Sequence, residues 1–197
     1  MNRATKGFTL LELMVTLAIV GILTALSIPN FMRLQARARQ AEPKVNLRAL
    51  MTLEKAFFLE TSRYSTLINE VSFAPERGNR YAYFLTSSGT IEGRAGTLAT
   101  SSTQDTGIAV DTFKYSFAID ASANTFQAPP CSGGNVGITG TGPFVFTGAA
   151  QGNIDDDATL DYWTISTANR TLFASASCEG GNVPAGGPFN ELNDVAK

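Results

Sequence analysis

Residues 1–39 read MNRATKGFTLLELMVTLAIVGILTALSIPNFMRLQARAR, and the architecture of the chain follows from this stretch. Between Phe8 and Ile28 it contains 21 residues, of which Glu12 alone is charged. At about 1.5 Å per residue, a helix of this length spans a hydrocarbon core of roughly 30 Å. An ionised carboxylate is unfavourable in such a segment and is a functional site by default. The sequence therefore predicts a membrane-spanning helix in which Glu12 has a function.

Charge is distributed unevenly along the 197 residues. Residues 1–63 carry nine Lys or Arg against four Asp or Glu, whereas residues 64–197 carry six against thirteen. We expect a basic stem and an acidic head, which argues against non-specific phosphate binding over the whole head surface. The chain contains no histidine, which excludes His-dependent triads and His-containing zinc sites. The sequence also lacks a phosphate loop and a convergent acid–base motif, so we expect no enzymatic activity.

A second helical segment follows the apolar run directly. Residues 30–61 are rich in strong helix formers. An apolar stripe at intervals of four, with Leu50 inside it, is formed by Val45, Ala49, Leu53 and Phe57. We predict one helix from about Thr9 to about Glu60, broken or kinked at Pro29 and Pro43 because proline removes an i→i−4 hydrogen bond. The second half of the stripe is expected to pack on a sheet.

Beyond residue 63 the sequence changes to short β-like runs and turn residues. The predicted strands are 113–119, 143–148, 160–167 and 170–176. Ala168-Asn169 is interpreted as a hairpin between the last two. The Ser/Thr/Gly-rich stretch 86–107 and the tail after Gly180 have little to bury and are predicted on the outer surface. The predicted fold class is α+β, with a long N-terminal helix packed on an antiparallel sheet of about four strands.

The two cysteines, Cys131 and Cys178, lie in the head without CxxC spacing. In an oxidising compartment a disulfide between them would close a loop of 48 residues. By the chain-entropy model, such a disulfide stabilises the folded state by roughly 4 kcal/mol. The alternative is two buried free thiols. We favour the disulfide because the membrane segment indicates export.

The stretch GNIDDDATLDYW, residues 152–163, is similar to part of an EF-hand loop. The residues at its first, third, fifth and ninth positions are Asn153, Asp155, Asp157 and Asp161. Ala158 replaces the glycine required at the sixth position, and Thr164 replaces the glutamate at the twelfth. These four residues are a candidate Ca²⁺ site, and the alternative is a solvated acidic turn that starts a strand.

Three interpretations of the N-terminus compete. A secretory signal peptide would be cleaved near Ala25-Leu26-Ser27, but Glu12 interrupts its apolar region and the helical pattern continues through that site. A plain membrane anchor explains the length and leaves Glu12 unexplained. The third interpretation takes KGFTLLELMV, residues 6–15, as one motif.

Residues 6–31, KGFTLLELMVTLAIVGILTALSIPNF, resemble the N-terminus of type IV prepilins and of type II secretion pseudopilins. Residues 33–85 are similar to the stem and following loop of type IVa major pilins, and residues 149–166 to their final hairpin region. The resemblance implies a leader of residues 1–7, an apolar transmembrane and filament-core helix at 8–29, an amphipathic helix at 30–61, and a β head at 62–197.

Individual residues acquire roles from this resemblance. A prepilin peptidase would cleave between Gly7 and Phe8, where a glycine lets the extended backbone enter a tight cleft, and would then methylate the amine of Phe8. Glu12 would pair with the N-terminal amine of an adjacent subunit, or with the amine of its own chain as an i,i+4 neighbour. The pair between subunits would penalise wrong axial registers. Gly21 and Pro29 would bracket a segment that unwinds on assembly.

The function that the resemblance implies is that of a major type IV pilus subunit, which polymerises into a surface filament for adhesion and twitching motility. Its partners would be further copies in a helical homopolymer, the prepilin peptidase and the inner-membrane assembly machinery, with no cofactor required. The precursor is expected in the inner membrane with a periplasmic head, and the filament outside the cell. The alternatives are a minor pilin or type II secretion pseudopilin, and a membrane-anchored binding domain.

Overall fold

The computed structural model describes residues 7–115, 121–127, 136–154, 159–174, 178–193 and 195. The chain divides into two compact units, residues 1–38 and residues 39–197. The first unit contains nearly all of helix α1, Leu10–Arg39. The second, which we call the head, contains helix α2, Ala41–Thr61, followed by β-strands and a 3₁₀ turn at Ala121–Asn124.

The strands of the described ranges are β1 (Ala82–Phe84), β2 (Thr90–Glu92), β3 (Asp105–Ile108), β4 (Gly137–Thr139), β5 (Val145–Gly152), β6 (Asp161–Ser166), β7 (Arg170–Leu172), β8 (Gly181–Val183) and β9 (Phe189–Leu192). Seven form one sheet in the order β2-β3-β1-β5-β6-β9, in which β4 also pairs with β5. All of its pairs are antiparallel except β2 with β3. Strands β7 and β8 form a separate antiparallel ribbon. The predicted α+β class is confirmed.

Helix α2 packs on the central strands β5 and β6. A glycine in β5 permits the close approach, because a Cβ on Gly148 would lie 2.9 Å from Cδ2 of Leu50. The side chains that α2 buries are Pro43, Leu47, Leu50, Met51 and Glu54. The predicted stripe is therefore wrong in register: Val45 is 64% exposed, Ala49 is exposed, and Leu53 is half-buried. At 100° per residue, Val45 and Ala49 lie on the side of α2 opposite the sheet.

The helical stretch is interrupted at Gln40, three residues before the predicted break at Pro43. Pro43 itself lies in the first turn of α2, where a backbone N–H would have no intrahelical acceptor. In one continuous helix, the N–H of residue 43 would donate to the carbonyl of Arg39. Proline has no N–H, so this bond is missing and the helix is interrupted just upstream, at Gln40. Pro29 and Gly21 both lie inside α1.

Two of the predicted strands are confirmed with shifted ends, 143–148 as β5 and 160–167 as β6. The prediction for 170–176 holds only for β7, Arg170–Leu172. The predicted hairpin at Ala168-Asn169 is wrong, because β6 pairs with β9 and β7 pairs with β8. This partner exchange also corrects the prediction of a surface tail, since Glu191 in β9 is fully buried.

The predicted strand at 113–119 is not formed where the structure describes it. Residues 112–115 make a turn, in which the N–H of Tyr115 donates to the carbonyl of Asp111 at 3.2 Å. Residues 116–119 lie outside the described ranges.

The prediction that residues 86–107 lie on the outer surface is confirmed for 87–90 and 95–104, which are exposed, but the stretch is not a plain loop. It contains β2 and the start of β3, and the side chain of Arg94 is only 4% exposed. Arg94 Nε donates to Glu92 Oε1 at 2.8 Å, and its Nη1 donates to Asn79 Oδ1 at 2.8 Å and to the Pro75 carbonyl at 3.0 Å. A guanidinium held this way fixes β2 to the segment that precedes β1.

A neighbouring ion pair connects the segment that precedes β1 to Asp111, which follows β3. Arg77 Nε donates to Asp111 Oδ2 at 2.6 Å, and the N–H of Gly78 donates to that oxygen at 2.8 Å. The Arg77 hydrogen bonds lower the pKa of Asp111 to about 2. Residues 87–90 and 95–104 are exposed, and paired backbone bonds of 2.9 and 2.8 Å between Gly93 and Thr100 close the base of the tip at 95–99.

This division generates a prediction about the stretch. An eight-residue Gly/Ser insertion between Leu98 and Ala99 should change the free energy of unfolding by less than about 1 kcal/mol, because a lengthened loop has a small closure cost. Arg94→Met should cost about 3–5 kcal/mol, because it leaves a buried carboxylate and amide without their donor. Denaturant unfolding of the full chain in detergent measures both. Arg63→Met, which breaks an exposed ion pair, is the matched control and should have little effect.

An ionisable group is also buried beneath the chain that leaves α2. Glu54 is fully buried, its Oε2 accepts the N–H of Ser65 at 3.3 Å, and its Oε1 has no hydrogen-bond partner. Burial, with a smaller contribution from the nearby Glu70, raises the pKa of Glu54 to about 7. Glu70 itself accepts hydrogen bonds from Arg63 and Ser65.

Because folding raises this pKa above its ordinary value of 4.5, the stability that Glu54 supplies is present below pH 4.5 and is lost as the pH rises to about 7. Glu54→Gln should therefore change stability little at pH 4.5 and increase it by up to about 3 kcal/mol above pH 7. Melting temperatures measured across this range test the prediction, with exposed Glu60→Gln as control. A Glu54→Gln effect that does not vary with pH would contradict it.

Candidate processing and assembly site

The N-terminus of α1 is closed by a reciprocal pair of hydrogen bonds between Thr9 and Glu12. The backbone N–H of Glu12 donates to Thr9 Oγ1 at 3.2 Å, and the N–H of Thr9 donates to Glu12 Oε2 at 3.0 Å. The Thr9 hydroxyl also donates to Oε2 at 2.7 Å. Thr9 is thus the N-cap and Glu12 the third helical residue, which is the geometry of a capping box.

Thr9 was not among the predicted site residues, although Thr-x-x-Glu before an apolar run is the recognised signature of this cap. Only Oε2 of Glu12 takes part, and Oε1 accepts no hydrogen bond within the described residues. Phe8 precedes the cap and lies outside the helix, so Phe8 and Glu12 are not i,i+4 helical neighbours in the uncleaved chain. Gly7 lies before Phe8 with open space around its Cα.

Beyond the cap, α1 presents an apolar surface on all its sides. Every residue from Gly7 to Gln35 is exposed, including Leu17 at 63% and Leu26 at 68%. In the part of the chain that the structure describes, the helix that starts at Leu10 is the one long and apolar enough to cross a membrane. No other charged residue accompanies Glu12 between Phe8 and Ile28.

Polar side chains on α1 bond to their own helix. Thr16 Oγ1 donates to the carbonyl of Leu13 at 2.9 Å, and Thr24 Oγ1 donates to that of Val20 at 2.7 Å. These bonds hide the hydroxyls from an apolar environment. Gly21 and Pro29, the predicted ends of an unwinding segment, are both helical here.

Of the four candidate calcium ligands, the structure describes Asn153 and Asp161, and both are buried. Both carboxylate oxygens of the fully buried Asp161 are occupied: Oδ1 accepts from Gln40 and Asn190 at 3.0 Å, and Oδ2 from Tyr81 at 2.5 Å and Trp163 at 2.6 Å. Four neutral donors leave this carboxylate as a structural acceptor, and burial beside it raises the pKa of Tyr81.

Asn153, another candidate ligand, is buried just after β5. Asp155 and Asp157 lie outside the described residues. Among the residues that are described, no three acidic, histidine or cysteine side chains are grouped as metal ligands would be. Calcium binding by this stretch therefore stays a prediction, and so does the alternative of a solvated acidic turn, although Asp161 itself is fully buried.

Cys178 is 7% exposed and disulfide-bonded. Its expected partner, Cys131, lies outside the described residues. The backbone next to Cys178 is tied to β9, because the N–H of Glu179 donates to the carbonyl of Glu191 at 3.2 Å.

Two family models match the chain. The model described as type IV pilin PilA matches residues 34–161, and that described as the prokaryotic N-terminal methylation motif matches residues 2–28. The second range contains Gly7, Phe8 and the Thr9–Glu12 cap.

Similar proteins fall into two groups by coverage. The type IV major pilin protein PilA of Myxococcus xanthus (strain DK1622) is 41% identical over 209 residues, which cover 99% of this chain and 94% of that protein. The type II secretion system core protein G of Aeromonas hydrophila is 37% identical over 82 residues, 38% of this chain and 57% of that protein. A fimbrial protein of Pseudomonas aeruginosa is 34% identical over 91 residues, 46% of this chain and 55% of that protein.

The cysteine pairing is open to direct measurement. We expect non-reducing peptide mapping of the purified protein to yield one linked peptide pair, Cys131 with Cys178. Cys131→Ser should cost on the order of 4 kcal/mol and accelerate proteolysis after β6, whereas the exposed Ser101→Ala should not. Free thiols on both cysteines after denaturation would contradict the pairing.

Proposed function

The chain belongs to the type IV pilin PilA family, and we propose that it is the major subunit of a type IV pilus. It is a structural pilus subunit, and its family identity indicates a structural protein and not an enzyme. In the proposed function it polymerises through its N-terminal helix into a surface filament for adhesion and twitching motility. The observation that supports this proposal best is the carboxylate of Glu12, which caps the N-terminus of an apolar helix exposed on all sides.

The cap lets one carboxylate serve two purposes. Oε2 of Glu12 satisfies the Thr9 N–H at the helix start, while Oε1 is left as an acceptor. Cleavage between Gly7 and Phe8 would create an α-amino group four residues before Glu12. An ammonium from an adjacent subunit could then reach Oε1 without breaking the cap. Both ions are costly alone in an apolar filament core and much less costly together, so the pair would select the axial register.

Coverage favours a major pilin over a pseudopilin. The similarity to the Myxococcus major pilin runs through the head, whereas the similarity to the secretion protein covers 38% of the chain. Because the similarity to the Myxococcus major pilin covers nearly the whole head, it supports the role of a filament subunit. A minor pilin or secretion pseudopilin is the second candidate, because it would use the same N-terminal motif.

Two surfaces would supply cohesion in the filament. The first is α1, whose segment 8–29 is the proposed transmembrane and filament-core helix. The second is the side of α2 that carries Val45, Ala49 and Leu59, which the head leaves exposed. Lateral burial of apolar surface contributes about 25 cal/mol per Å². In the amphipathic segment 30–61, the sheet-facing side of α2 would hold the β part of the head, residues 62–197.

Processing and location follow from the same proposal. A prepilin peptidase would remove leader 1–7 and methylate Phe8, and inner-membrane assembly machinery would extract the subunit. The precursor would be membrane-anchored with a periplasmic head, and the assembled filament extracellular. Gly21 lowers helix stability and Pro29 leaves the carbonyl of Ala25 without its bond, so this segment would unwind on assembly. We propose no required cofactor.

The first test separates the cap from the charge. Glu12→Gln retains an amide oxygen for the capping box and removes the ion, whereas Thr9→Val removes the cap hydroxyl and retains the ion. We expect both to be processed, Glu12→Gln to assemble poorly, and Thr9→Val to lose only a small part of its filaments, since an N-cap contributes about 1 kcal/mol. Sheared surface filaments and the mass of the mature N-terminus are the measurements. Loss of filaments in Thr9→Val with normal filaments in Glu12→Gln would show that the cap, and not the charge, governs assembly.

The second test separates processing from polymerisation. Gly7→Val should leave the uncleaved precursor in the membrane, whereas Gly21→Ala, a glycine substitution with open space around it, should be processed normally. Leu17→Lys should be cleaved yet form no filaments, because it places a charge on the proposed apolar interface. Mass spectrometry reports cleavage and electron microscopy reports filaments. Normal filaments from Leu17→Lys would refute polymerisation through α1.

A further inference from the structure

A short segment that leaves α2 lies over a buried carboxyl group. We call this segment, residues 63–66, the strap. Before it, Ser62 ends the helix in the left-handed region, with φ of 58°, which few residues other than glycine adopt. After it, Ile68 is anchored in the core, 2% exposed, and donates its N–H to the carbonyl of Asp105 at 3.0 Å. The strap therefore has a turn at one end and a fixed residue at the other.

Few contacts hold the strap in place. The ring of Tyr64 stacks on that of Phe58, with centroids 4.6 Å apart. Arg63 pairs with Glu70 at 3.1 Å, but both side chains reach water, so the pair contributes little. Within the described residues, no backbone hydrogen bond joins the strap to a strand of the sheet. A segment with so few bonds can open while the rest of the head stays folded.

The buried contact of the strap is with Glu54. The N–H of Ser65, a residue only 3% exposed, donates to Oε2 of Glu54 at 3.3 Å, which is longer than an ordinary hydrogen bond to an ionised carboxylate. Oε1 of the same group has no hydrogen-bond partner within the described residues. A fully buried carboxyl group with one oxygen unpaired is much less costly when protonated than when ionised. The closed strap therefore favours the neutral form of Glu54.

The charged groups around Glu54 do not compensate its ionisation. Burial, and then the charge of Glu70 in the chain that follows the strap, raise the pKa of Glu54 to about 7. Arg63 is already paired with Glu70. Of the strands that pack on α2, β5 contains no Asp, Glu, Lys or Arg, and β6 contains only Asp161, whose oxygens are filled by four donors. The other charged side chains of α2 from residue 48 onward are exposed, namely Arg48, Lys55 and Glu60.

We propose that the strap is a pH-sensitive switch, which is closed while Glu54 is protonated and opens about Ser62 when Glu54 ionises, so that the carboxylate reaches water. Opening separates Tyr64 from Phe58 and uncovers an aromatic ring next to Leu59, which is 84% exposed on the side of α2 that the head leaves free. The head then presents more apolar surface at neutral pH than in acid. The inference goes beyond filament formation, because it gives the head a conformational response that polymerisation does not need.

The pH dependence has a definite window. With the strap closed the pKa of Glu54 is about 7, and with the strap open it returns to its ordinary value of 4.5. Below pH 4.5 both states bind the proton, so opening does not depend on pH. Between pH 4.5 and 7 only the open state has lost the proton, and the population of the open strap should rise by up to about ten-fold per pH unit. Above pH 7 both states are ionised and the dependence ends.

Hydrogen exchange of the Ser65 amide, measured by NMR on the full chain in detergent and divided by the intrinsic rate at each pH, tests the proposal. Its protection should fall by about 100-fold to 300-fold between pH 4 and 7 and then level off. Exchange at Ser65 should not respond to low concentrations of urea, because a local opening exposes little surface, whereas exchange of the central amides of β5 and β6 should. Protection that does not vary with pH, or a urea response as large as that of β5 and β6, overturns the proposal.

Variants identify the group that controls the strap. Glu54→Gln removes the ionisation and retains an oxygen for the Ser65 N–H, so the protection of Ser65 should no longer depend on pH. Glu60→Gln changes an exposed carboxylate of the same helix; it is the matched control and should keep the original dependence. Tyr64→Ala removes the stacking contact and should speed exchange at every pH without changing the slope. A pH dependence that persists in Glu54→Gln assigns the response to another group and contradicts the proposal.

Discussion

The carboxylate of Asp161 accepts hydrogen bonds from side chains that the sequence spreads over 150 positions, from Gln40 to Asn190. Tyr81, next to β1, and Trp163, in β6, supply the other two donors. A desolvated carboxylate is costly unless its lone pairs are filled, so each donor is held to the position that fills one. The start of α2, the approach to β1 and the last strand β9 are thereby fixed around one buried group.

A second carboxylate repeats the arrangement in the first turn of α2. Glu42 accepts the N–H groups of Arg80 and Tyr81, at 3.0 and 3.3 Å, and the hydroxyl of Tyr83 at 3.0 Å. Burial raises the pKa of Glu42. With two polar anchors at one end of α2, the sheet needs only a narrow stripe of apolar contacts along the rest of the helix. The opposite side of α2 stays free for contacts with other molecules.

The sequence allowed prediction of the apolar helix and of β5 and β6, because their periodicity extends over many residues. Prediction from the sequence failed where two sides of one helix carried similar apolar residues. The buried side of α2 contains the ionisable Glu54, whereas the series Val45, Ala49, Leu53 and Phe57 is uninterrupted by charge, so apolar spacing alone points to the wrong side. Strand pairing failed for a related reason: β9 is short and carries Asn190 and Glu191, whose polarity suggested a surface.

The N-terminal cap was predictable, because the spacing of Thr9 and Glu12 before an apolar run is that of a capping box. The network around Arg94 was not predictable. Its partners Asn79 and Pro75 are distant in sequence, and a stretch rich in serine, threonine and glycine gives no pattern that places a guanidinium in the interior.

The base of the exposed tip, where Gly93 and Thr100 exchange backbone hydrogen bonds, has a consequence for divergence among filaments. Among the described residues, 97–99 make no hydrogen bond to β2 or β3, so substitutions there should leave the fold intact. Repetition of the subunit along a polymer would multiply any change at this tip over the whole filament. A change at this tip would therefore alter the surface of the filament while leaving the subunit interior as it is.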